Sequence, residues 1–256
     1  MARLPSTQAS NSAPNAEAET QADTRLPAPP QLSDLPIWQH ALIWLVLVAL
    51  AVAGAVVLVA LLTPRAHAQT PTQTVPQAAH RYRADLTRAA HLHWGLDAPI
   101  AALAAQVHQE SGWNPQAVSA VGARGLAQFM PATATWWCAR QGIIPAACAP
   151  HNPVWALRAL VGYDKWLYDR VPGYVLDRHD RLWLALRGYN GGEGHWQAEG
   201  RSTGLAQPTR AQIDAACGQA RRARVHCAEN LAYPRRILLD LQPRYAAWGA
   251  AWGPGS

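Results

Sequence analysis

The sequence is poor in several residue types, and each shortage narrows what the chain can be. The alternation of polar and apolar residues that marks a half-buried strand is missing, so we expect a mainly α fold. Lys165 is the only lysine among 22 basic residues. No basic cluster coincides with a nucleic-acid recognition motif, so we expect no nucleic-acid partner. We expect neither a metal nor a cofactor.

Cysteine is scarce as well. Its four copies occur as two pairs with the same separation along the chain, Cys138 and Cys148, and Cys217 and Cys227. The sequence leaves three disulfide connectivities open, of which bonding within each short loop is the simplest. A zinc site is the alternative, although the close Cys-x-x-Cys pairs typical of zinc sites are missing. Disulfides would place this part of the chain in an oxidising compartment.

The N-terminal part differs sharply in composition from the rest. Residues 1–36 are polar and proline-rich without apolar periodicity, and we expect them to be disordered. Within residues 37–63 a long uncharged, aliphatic run is able to cross a hydrocarbon core of about 30 Å, which predicts a transmembrane helix or signal-anchor. A buried globular helix is the alternative. Residues 64–78 form a linker, in which Ala66-His67-Ala68 has the form of a signal cleavage site.

One carboxylate lies at the end of an apolar helix. Ile100, Leu103 and Val107 recur at helical spacing, and Glu110 falls on the same stripe. Burial and the negative end of the helix dipole both disfavour an ionised carboxylate, so both raise its pKa. A general acid that works near neutral pH needs such a raised pKa. The alternative is that the helix ends earlier and Glu110 is solvated.

Three ordered motifs resemble the soluble lytic transglycosylase (SLT) family. They are Glu110-Ser111 with Asn114-Pro115, Gly122-Ala123, Gly125-Leu126-Ala127-Gln128 and Met130-Pro131; Gly188-Tyr189-Asn190-Gly191-Gly192; and Glu229-Asn230-Leu231-Ala232-Tyr233. That family has a lysozyme-like fold and cleaves the glycan strands of bacterial peptidoglycan. The resemblance implies a mainly α, lysozyme-like (goose-type/SLT) domain, which we place at residues 79–247, followed by a flexible tail at 248–256.

The resemblance also implies the chemistry. Glu110 would protonate the glycosidic oxygen between N-acetylmuramic acid and N-acetylglucosamine. It would then act as base on the muramoyl 6-hydroxyl to give a 1,6-anhydro product. Asn190 would hold the N-acetyl group, while Glu229 would orient the cleft without taking part in the chemistry. The further substrate-binding candidates are Ser111, Gln128, Tyr189, Tyr233, Trp113 and Trp196.

Four positions depart from the family pattern. Ala127 stands where Met is common, Gly191 replaces Ala, and Asn230 replaces Thr. Pro234 directly follows Tyr233, where it must bend or start a helix. Ala127 and Pro234 therefore bear on how the cleft is shaped around Glu110.

The charges around the apolar segment conflict with the other signals. Arginines follow it and mainly acidic residues precede it, so the positive-inside rule favours a cytoplasmic C-terminal domain. The cysteines and the candidate cleavage site favour export, and peptidoglycan lies outside the cytoplasm. We therefore predict an inner-membrane protein with a periplasmic catalytic domain, or a periplasmic protein after cleavage following Ala68.

Two other functions stay open. A lysozyme-type hydrolase of similar fold would need a second carboxylate, for which Asp97 and Glu193 are the candidates. A non-catalytic peptidoglycan-binding scaffold is the other. The expected partners are glycan strands, the inner membrane and components of an envelope-spanning secretion or conjugation system, with general wall turnover equally compatible.

Helical periodicity predicts the following segments. They cover 77–93, a helix from near Pro99 to Glu110, 131–141, 153–170, 178–189, 209–221 and 228–242. One small hairpin is expected near the cleft.

Overall fold

The structure is a computed structural model that describes Leu42, residues 45–54 and residues 74–255. The chain divides into two compact units, Met1–Ala68 and Gln69–Ser256. In the first unit Leu42 and residues 45–54 are helical, with exposed side chains. The predicted disordered segment lies outside the described residues, as do the rest of the predicted membrane segment and most of the linker. No helix within the described ranges is both long and apolar enough to span a membrane.

The second unit is helical, which confirms the prediction of a mainly α fold. Its α-helices are α1 (Gln77–His80), α2 (Arg83–Trp94), α3 (Ile100–Ser111), α4 (Pro131–Arg140), α5 (Pro153–Asp169), α6 (Arg178–Gly191), α7 (Glu193–Ser202), α8 (Arg210–Ala215) and α9 (Cys227–Arg235). A π-helix covers Arg236–Leu241, and 3₁₀ helices cover Pro145–Ala147, Arg224–His226 and Gln242–Trp248.

Local sequence explains where the helices begin. Asn152 and Asp177 cap α5 and α6 with side chains that accept hydrogen bonds from the first free backbone N–H groups. Pro131 and Pro153 occupy first-turn positions, where the missing N–H costs nothing. In place of the expected hairpin, the described residues contain only isolated antiparallel bridges that join Arg124 to Val118 and to Phe129.

Three predicted helices differ from the observed ones. The 77–93 segment is interrupted between α1 and α2, and the 209–221 segment ends at Ala215, with Gly218 in a left-handed conformation shortly after. The 228–242 segment changes from α to π geometry just after Pro234, because proline cannot donate the helical hydrogen bond. Helix α7 was not predicted, because its sequence is polar and contains two glycines.

The core is built around α3. Residues 100–107 of this helix are all buried, so it is enclosed on every side. Its small alanines let the π-helix and the last 3₁₀ helix pack against it, while Leu103 and Leu157 fill the space between helices. Each buried leucine contributes about 1.5–3 kcal/mol. The helix that carries Glu110 is therefore a rigid base for the site.

The C-terminal segment is packed, in contrast to the flexible tail predicted from residue 248. Trp248 and Trp252 are both buried. The Trp252 ring lies against Trp94 and Tyr168 at centroid distances of 5.6 and 5.7 Å, and the Arg178 guanidinium lies over it at 3.9 Å. The prediction of a flexible tail was wrong for residues 248–252, because the large apolar ring of Trp252 packs against aromatic side chains of the domain.

The cysteines form two local disulfides, Cys138–Cys148 and Cys217–Cys227, with Cα–Cα distances of 6.0 and 5.9 Å. The predicted pairing is confirmed, and these cysteines are not zinc ligands. Each bond closes a short loop and restricts the unfolded chain.

Candidate active site

Glu110 lies in the last turn of α3, partly buried at the edge of the core. Gly112 adopts φ 58° and ends the helix, as the stop signal at this position predicts. Burial raises the pKa of Glu110 from about 4.5 to about 7, and a hydrogen bond from Tyr233 limits the rise. The group is therefore poised to change its protonation state near neutral pH.

Tyr233 donates its hydroxyl proton to Oε1 of Glu110. Burial and the neighbouring Glu110 charge raise the pKa of Tyr233 well above its usual value, so the phenol stays protonated. Because Tyr233 occupies Oε1, the acidic proton of a neutral Glu110 belongs on Oε2. Pro234 does not displace Tyr233: it is buried within α9, and the chain continues into the π-helix.

The loop after α3 is tied to the helix end. Ser111 Oγ donates to the carbonyl of Leu126 at 3.0 Å, and the Gln128 amide donates to the carbonyl of Gly125 at 3.0 Å. A Cβ on Gly125 would lie 1.9 Å from the carbonyl oxygen of Pro150, so only glycine fits there. Ser111 and Gln128 thus hold the loop that joins α3 to α4.

Tyr189 connects this loop to Tyr233 and so to Glu110. Its hydroxyl donates to the Ala127 carbonyl at 2.7 Å, and its ring stacks on Tyr233 with centroids 6.4 Å apart. Ala127 itself is buried, so its side chain does not line the cleft. The two tyrosines form one wall beside Glu110.

Asn190 is oriented by a buried network that the sequence did not reveal. The Asn230 amide donates to Oδ1 of Asn190 at 3.0 Å and to the Arg187 carbonyl at 2.9 Å. The oxygen of Asn230 accepts from Nε of Arg187 at 2.9 Å. Because Oδ1 of Asn190 is engaged, its Nδ2 is left as the donor. The Asn at position 230, where the family commonly has Thr, explains this arrangement.

Arg187 is fully buried among acidic partners. It pairs with Glu199 and, at 2.9 Å, with Asp214. A buried arginine without partners would be strongly unfavourable, so the two carboxylates are required for it to occupy this position. The network is thereby fixed on the side of α6 that carries the second motif.

An aromatic surface extends outward from Tyr189, and sequence reasoning did not single it out. The ring of Tyr163 lies 5.4 Å from that of Tyr189, and it stacks on Trp166 at 5.6 Å. Trp136, 43% exposed, meets both Tyr163 and Trp166 edge-on. Arg170 lies 4.6 Å from the Trp166 ring. Flat sugar faces stack on such rings.

Trp113 and Trp196 are buried and do not line the surface beside Glu110, so their prediction as substrate contacts is wrong. Trp113 is 1% exposed, packs on Trp248, and donates to the Tyr245 hydroxyl at 2.7 Å. Trp196 is 2% exposed in a separate apolar cluster. Both tryptophans are adjacent to motif residues in the sequence, but neither is exposed in the fold. Burial of a large indole ring is more favourable than its exposure to water.

A second buried carboxyl group lies near Glu110. Asp164 on α5 is 0% exposed and accepts a hydrogen bond from Gln106 at 3.2 Å. Burial raises the pKa of Asp164 well above its usual value, and the Glu110 charge adds to the rise. Asp164 lies on the apolar stripe of α5, so its sequence position resembles that of a core residue.

The other acidic candidates are engaged elsewhere. Asp97 pairs with Arg178 at 2.8 Å, and Glu193 pairs with Arg170 at 2.6 Å. Glu229 is exposed and lies beside Asn190 in a surface cavity. In the described part of the chain, none of these three is hydrogen-bonded to Glu110.

Glu110 lies within the part of the chain that matches a known family, as do Tyr189 and Asn190. A family model described as "Transglycosylase SLT domain" matches residues 85–211, and this part of the chain is an SLT domain.

Two relatives are each named membrane-bound lytic murein transglycosylase F. The protein from Maricaulis maris is 44% identical over 93 residues, which are 36% of this chain and 18% of that relative. The protein from Mannheimia succiniciproducens is 34% identical over 134 residues, 51% of this chain and 23% of the relative. The chain thus spans only about a fifth of the length of these curated relatives.

Among solved structures, the 70 kDa soluble lytic transglycosylase of Escherichia coli aligns with a TM-score of 0.49 at 24% identity. The alignment covers 68% of this chain and 26% of that chain.

Proposed function

We propose that the chain is a membrane-associated peptidoglycan lytic transglycosylase that cleaves between N-acetylmuramic acid and N-acetylglucosamine and leaves 1,6-anhydro ends. The observation that carries this proposal is Glu110, a carboxyl group with a pKa of about 7 that lies within the residues matched by the SLT family model and accepts a hydrogen bond from Tyr233. The names of the matched relatives support the same substrate.

In the first step, Oε2 of neutral Glu110 donates its proton to the glycosidic oxygen. The bond from that oxygen to C1 of the muramoyl residue breaks, and the second sugar leaves as an alcohol. The Nδ2 group of Asn190 holds the N-acetyl group, whose carbonyl oxygen stabilises the positive charge that develops at C1. The hydrogen bond from Tyr233 stabilises the carboxylate that Glu110 becomes.

In the second step, ionised Glu110 takes the proton of the muramoyl 6-hydroxyl. The freed oxygen attacks C1 and closes the 1,6-anhydro ring, and Glu110 returns to its neutral form without consuming water. The attack is favoured because the nucleophile belongs to the same sugar.

The placement of the other carboxyl groups favours this route over hydrolysis. An inverting hydrolase needs a second carboxylate with room for a water molecule. Asp164 is fully buried, while Asp97 and Glu193 are ion-paired with arginines. None of these groups is a solvent-facing carboxylate without an ion pair, which is the form that would activate a water molecule most readily.

The glycan strand would lie along the aromatic surface of Tyr163, Trp166 and Trp136. The rings of these residues continue outward from Tyr189, which stacks on Tyr233. Sugars bound along this surface would add binding energy without contacting the reacting bond.

Product analysis tests the proposal. Purified sacculi digested by the wild-type protein should release muropeptides with anhydromuramic ends, detected by mass spectrometry, whereas Glu110→Gln should release none. Reducing muramic ends would instead identify a hydrolase. Equal loss of turbidity with wild type and E110Q would show that Glu110 is not catalytic.

Membrane association rests on separate observations. The helical residues at 45–54 carry exposed apolar side chains, and the two matched relatives are named membrane-bound. A small anchored enzyme of this kind would suit local opening of the wall for an envelope-spanning secretion or conjugation system.

A further inference from the structure

A cavity of about 400 Å³ opens directly beside Asn190. It lies between the start of α7 and the loop closed by the Cys217–Cys227 disulfide. Its lining is rich in basic side chains and contains a single acidic one. The residues are Asn190, Gly191, His195, Arg221, Arg222, Ala223, His226 and Glu229.

Arg222 forms the buried end of this cavity. Its Nε donates to Glu199 at 3.0 Å, but Glu199 is shared with Arg187. The Nη2 group of Arg222 is buried and has no hydrogen-bond partner within the described residues. A buried guanidinium with an unused donor is costly unless a ligand or solvent completes it.

Gly191 permits this approach of Arg222 to the second motif. A Cβ on Gly191 would lie 2.5 Å from Nη1 of Arg222 and 2.7 Å from Nδ2 of Asn230. The alanine common at this position in the family would therefore force the guanidinium away. Gly191 and Arg222 therefore depend on each other in this chain, because the guanidinium occupies the space that an alanine side chain would fill.

The remaining basic groups face the same space. Arg221 and His226 are exposed, and His195 is partly buried, with its Nδ1 lacking a partner in the described part of the chain. Burial lowers the pKa of His195, and the neighbouring Arg222, Arg221 and His226 lower it further, against an opposite effect of Glu199. These groups together offer several donors to an anion.

We propose that this cavity binds a carboxylate of the peptide carried by the muramoyl residue. The proposal rests on the proposed function, because it takes peptidoglycan as substrate. The muramoyl peptide is attached through the lactyl group at C3, next to the N-acetyl group at C2. If Asn190 holds that N-acetyl group, the peptide leaves the sugar toward the cavity that Asn190 itself lines. The cavity then selects peptide-bearing over bare glycan.

Binding to the inactive full-length E110Q protein tests this. Calorimetry compares soluble glycan chains that carry peptides with the same chains after an amidase has removed the peptides. We expect peptide-bearing chains to bind about tenfold more tightly. In E110Q/R221Q/H226Q this preference should fall, because Arg222 is then the one arginine of the cavity left to hold the carboxylate, while affinity for bare chains stays the same. Both added changes are at exposed positions, so folding should be preserved.

Two controls sharpen the result. E110Q/R88Q removes an exposed arginine on α2 and should keep the full preference. Amidation of the peptide carboxylates should abolish it for E110Q. An unchanged preference in the R221Q/H226Q background, or tighter binding that survives amidation, would overturn the proposal. Failure of the proposed function would appear differently, as loss of binding to bare chains or as absence of anhydro products with wild type.

Discussion

At the scale of single residues, the site depends on how Glu110 is kept neutral at pH values where exposed glutamates are ionised. Two opposing influences set this balance. Burial favours the neutral form, and the Tyr233 hydroxyl favours the ionised form. Such a balance suits a group that must act first as acid and then as base.

Tyr233→Phe should shift the pH dependence of activity. Loss of the hydrogen bond to ionised Glu110 raises the pKa of Glu110 above about 7, so the alkaline decline of sacculus cleavage should move to higher pH. The rate at the optimum should fall about 10- to 100-fold, since the carboxylate loses a stabilising donor. Turbidity loss of sacculi measured across pH 5–9 checks this, with Tyr174→Phe as a control. A shift to lower pH would contradict the role of Tyr233.

Glu110→Gln should stabilise the folded protein in alkaline solution. The pKa of Glu110 is raised on folding from about 4.5 to about 7, so its ionisation opposes folding as pH rises through this interval. The free energy of unfolding of E110Q should exceed that of wild type by at most about 3 kcal/mol above pH 7, and the two should converge below pH 4.5. Urea denaturation at pH 4.5 and pH 8 measures the difference. A gap that is larger at acid pH would be inconsistent with a buried, raised-pKa group.

Substitutions at Asn190 and Asn230 should differ in their effects on activity and on stability. Asn190→Ala removes the proposed donor to the N-acetyl group of the substrate and should lower activity with little change in the free energy of unfolding. Asn230→Ala also leaves Arg187 short of partners, so it should lower activity and cost about 1–3 kcal/mol of stability. Activity on sacculi together with denaturation curves distinguishes the two variants. Full activity of Asn230→Ala would show that Asn190 is oriented by other contacts.

At the scale of elements, the two disulfide loops serve different parts of the molecule. The Cys138–Cys148 loop follows α4, whereas the Cys217–Cys227 loop carries Arg221 and Arg222 and leads directly into α9 with Tyr233. The conformation of the Cys217–Cys227 loop therefore affects the position of Tyr233 beside Glu110.

Removal of either disulfide by paired Cys→Ala changes should lower stability by about 2–3 kcal/mol, as expected for short closed loops. Only C217A/C227A should also reduce the catalytic rate on sacculi at temperatures where the protein remains folded. Thermal denaturation and product analysis, compared for both double variants, test this. Equal activity of the two would show that α9 keeps its position without the bond.

Elements with strong local signals were predictable, and those set by tertiary contacts were not. Helices α3, α4 and α5 begin and end within a residue or two of the predicted limits, because prolines, caps and glycine mark them. The polar helix α7 and the π-helix after Pro234 gave no such signal. Helix α7 is held by packing against α6, whereas the π geometry depends on how the chain continues after Pro234 and on contacts with α3.

For the site, the motifs predicted which residues lie close to Glu110, but they did not predict which side chains are exposed. Glu110, Tyr233 and Tyr189 belong to three motifs far apart in sequence and are joined by direct contacts, and Asn190 contacts Asn230 of the third motif. Which tryptophans are exposed depends on long-range packing, so Trp136 was missed and Trp113 was misplaced. Asp164 was also not predicted as a group near Glu110, because it lies on the apolar stripe of α5.

At the scale of the whole molecule, the relation between the apolar N-terminal segment and the SLT domain is the main expectation to test. We expect the full chain to fractionate with the inner membrane and to resist extraction by salt, because residues 37–63 would provide a hydrophobic anchor. Deletion of 37–63 should release it into the soluble fraction. Immunoblots of salt- and detergent-extracted membranes measure this, and release of the full chain by salt alone would argue against an anchor.

The exposed Trp136 ring, with Trp166 behind it, also provides an optical reporter. Iodide in solution quenches the emission of indoles that it can reach, and Trp136 is the tryptophan of the described residues that solvent reaches best. Sugars seated on these rings would shield them, so glycan binding to E110Q should reduce the quenchable fraction of the fluorescence. Tryptophan fluorescence would then report glycan binding to this aromatic surface independently of bond cleavage.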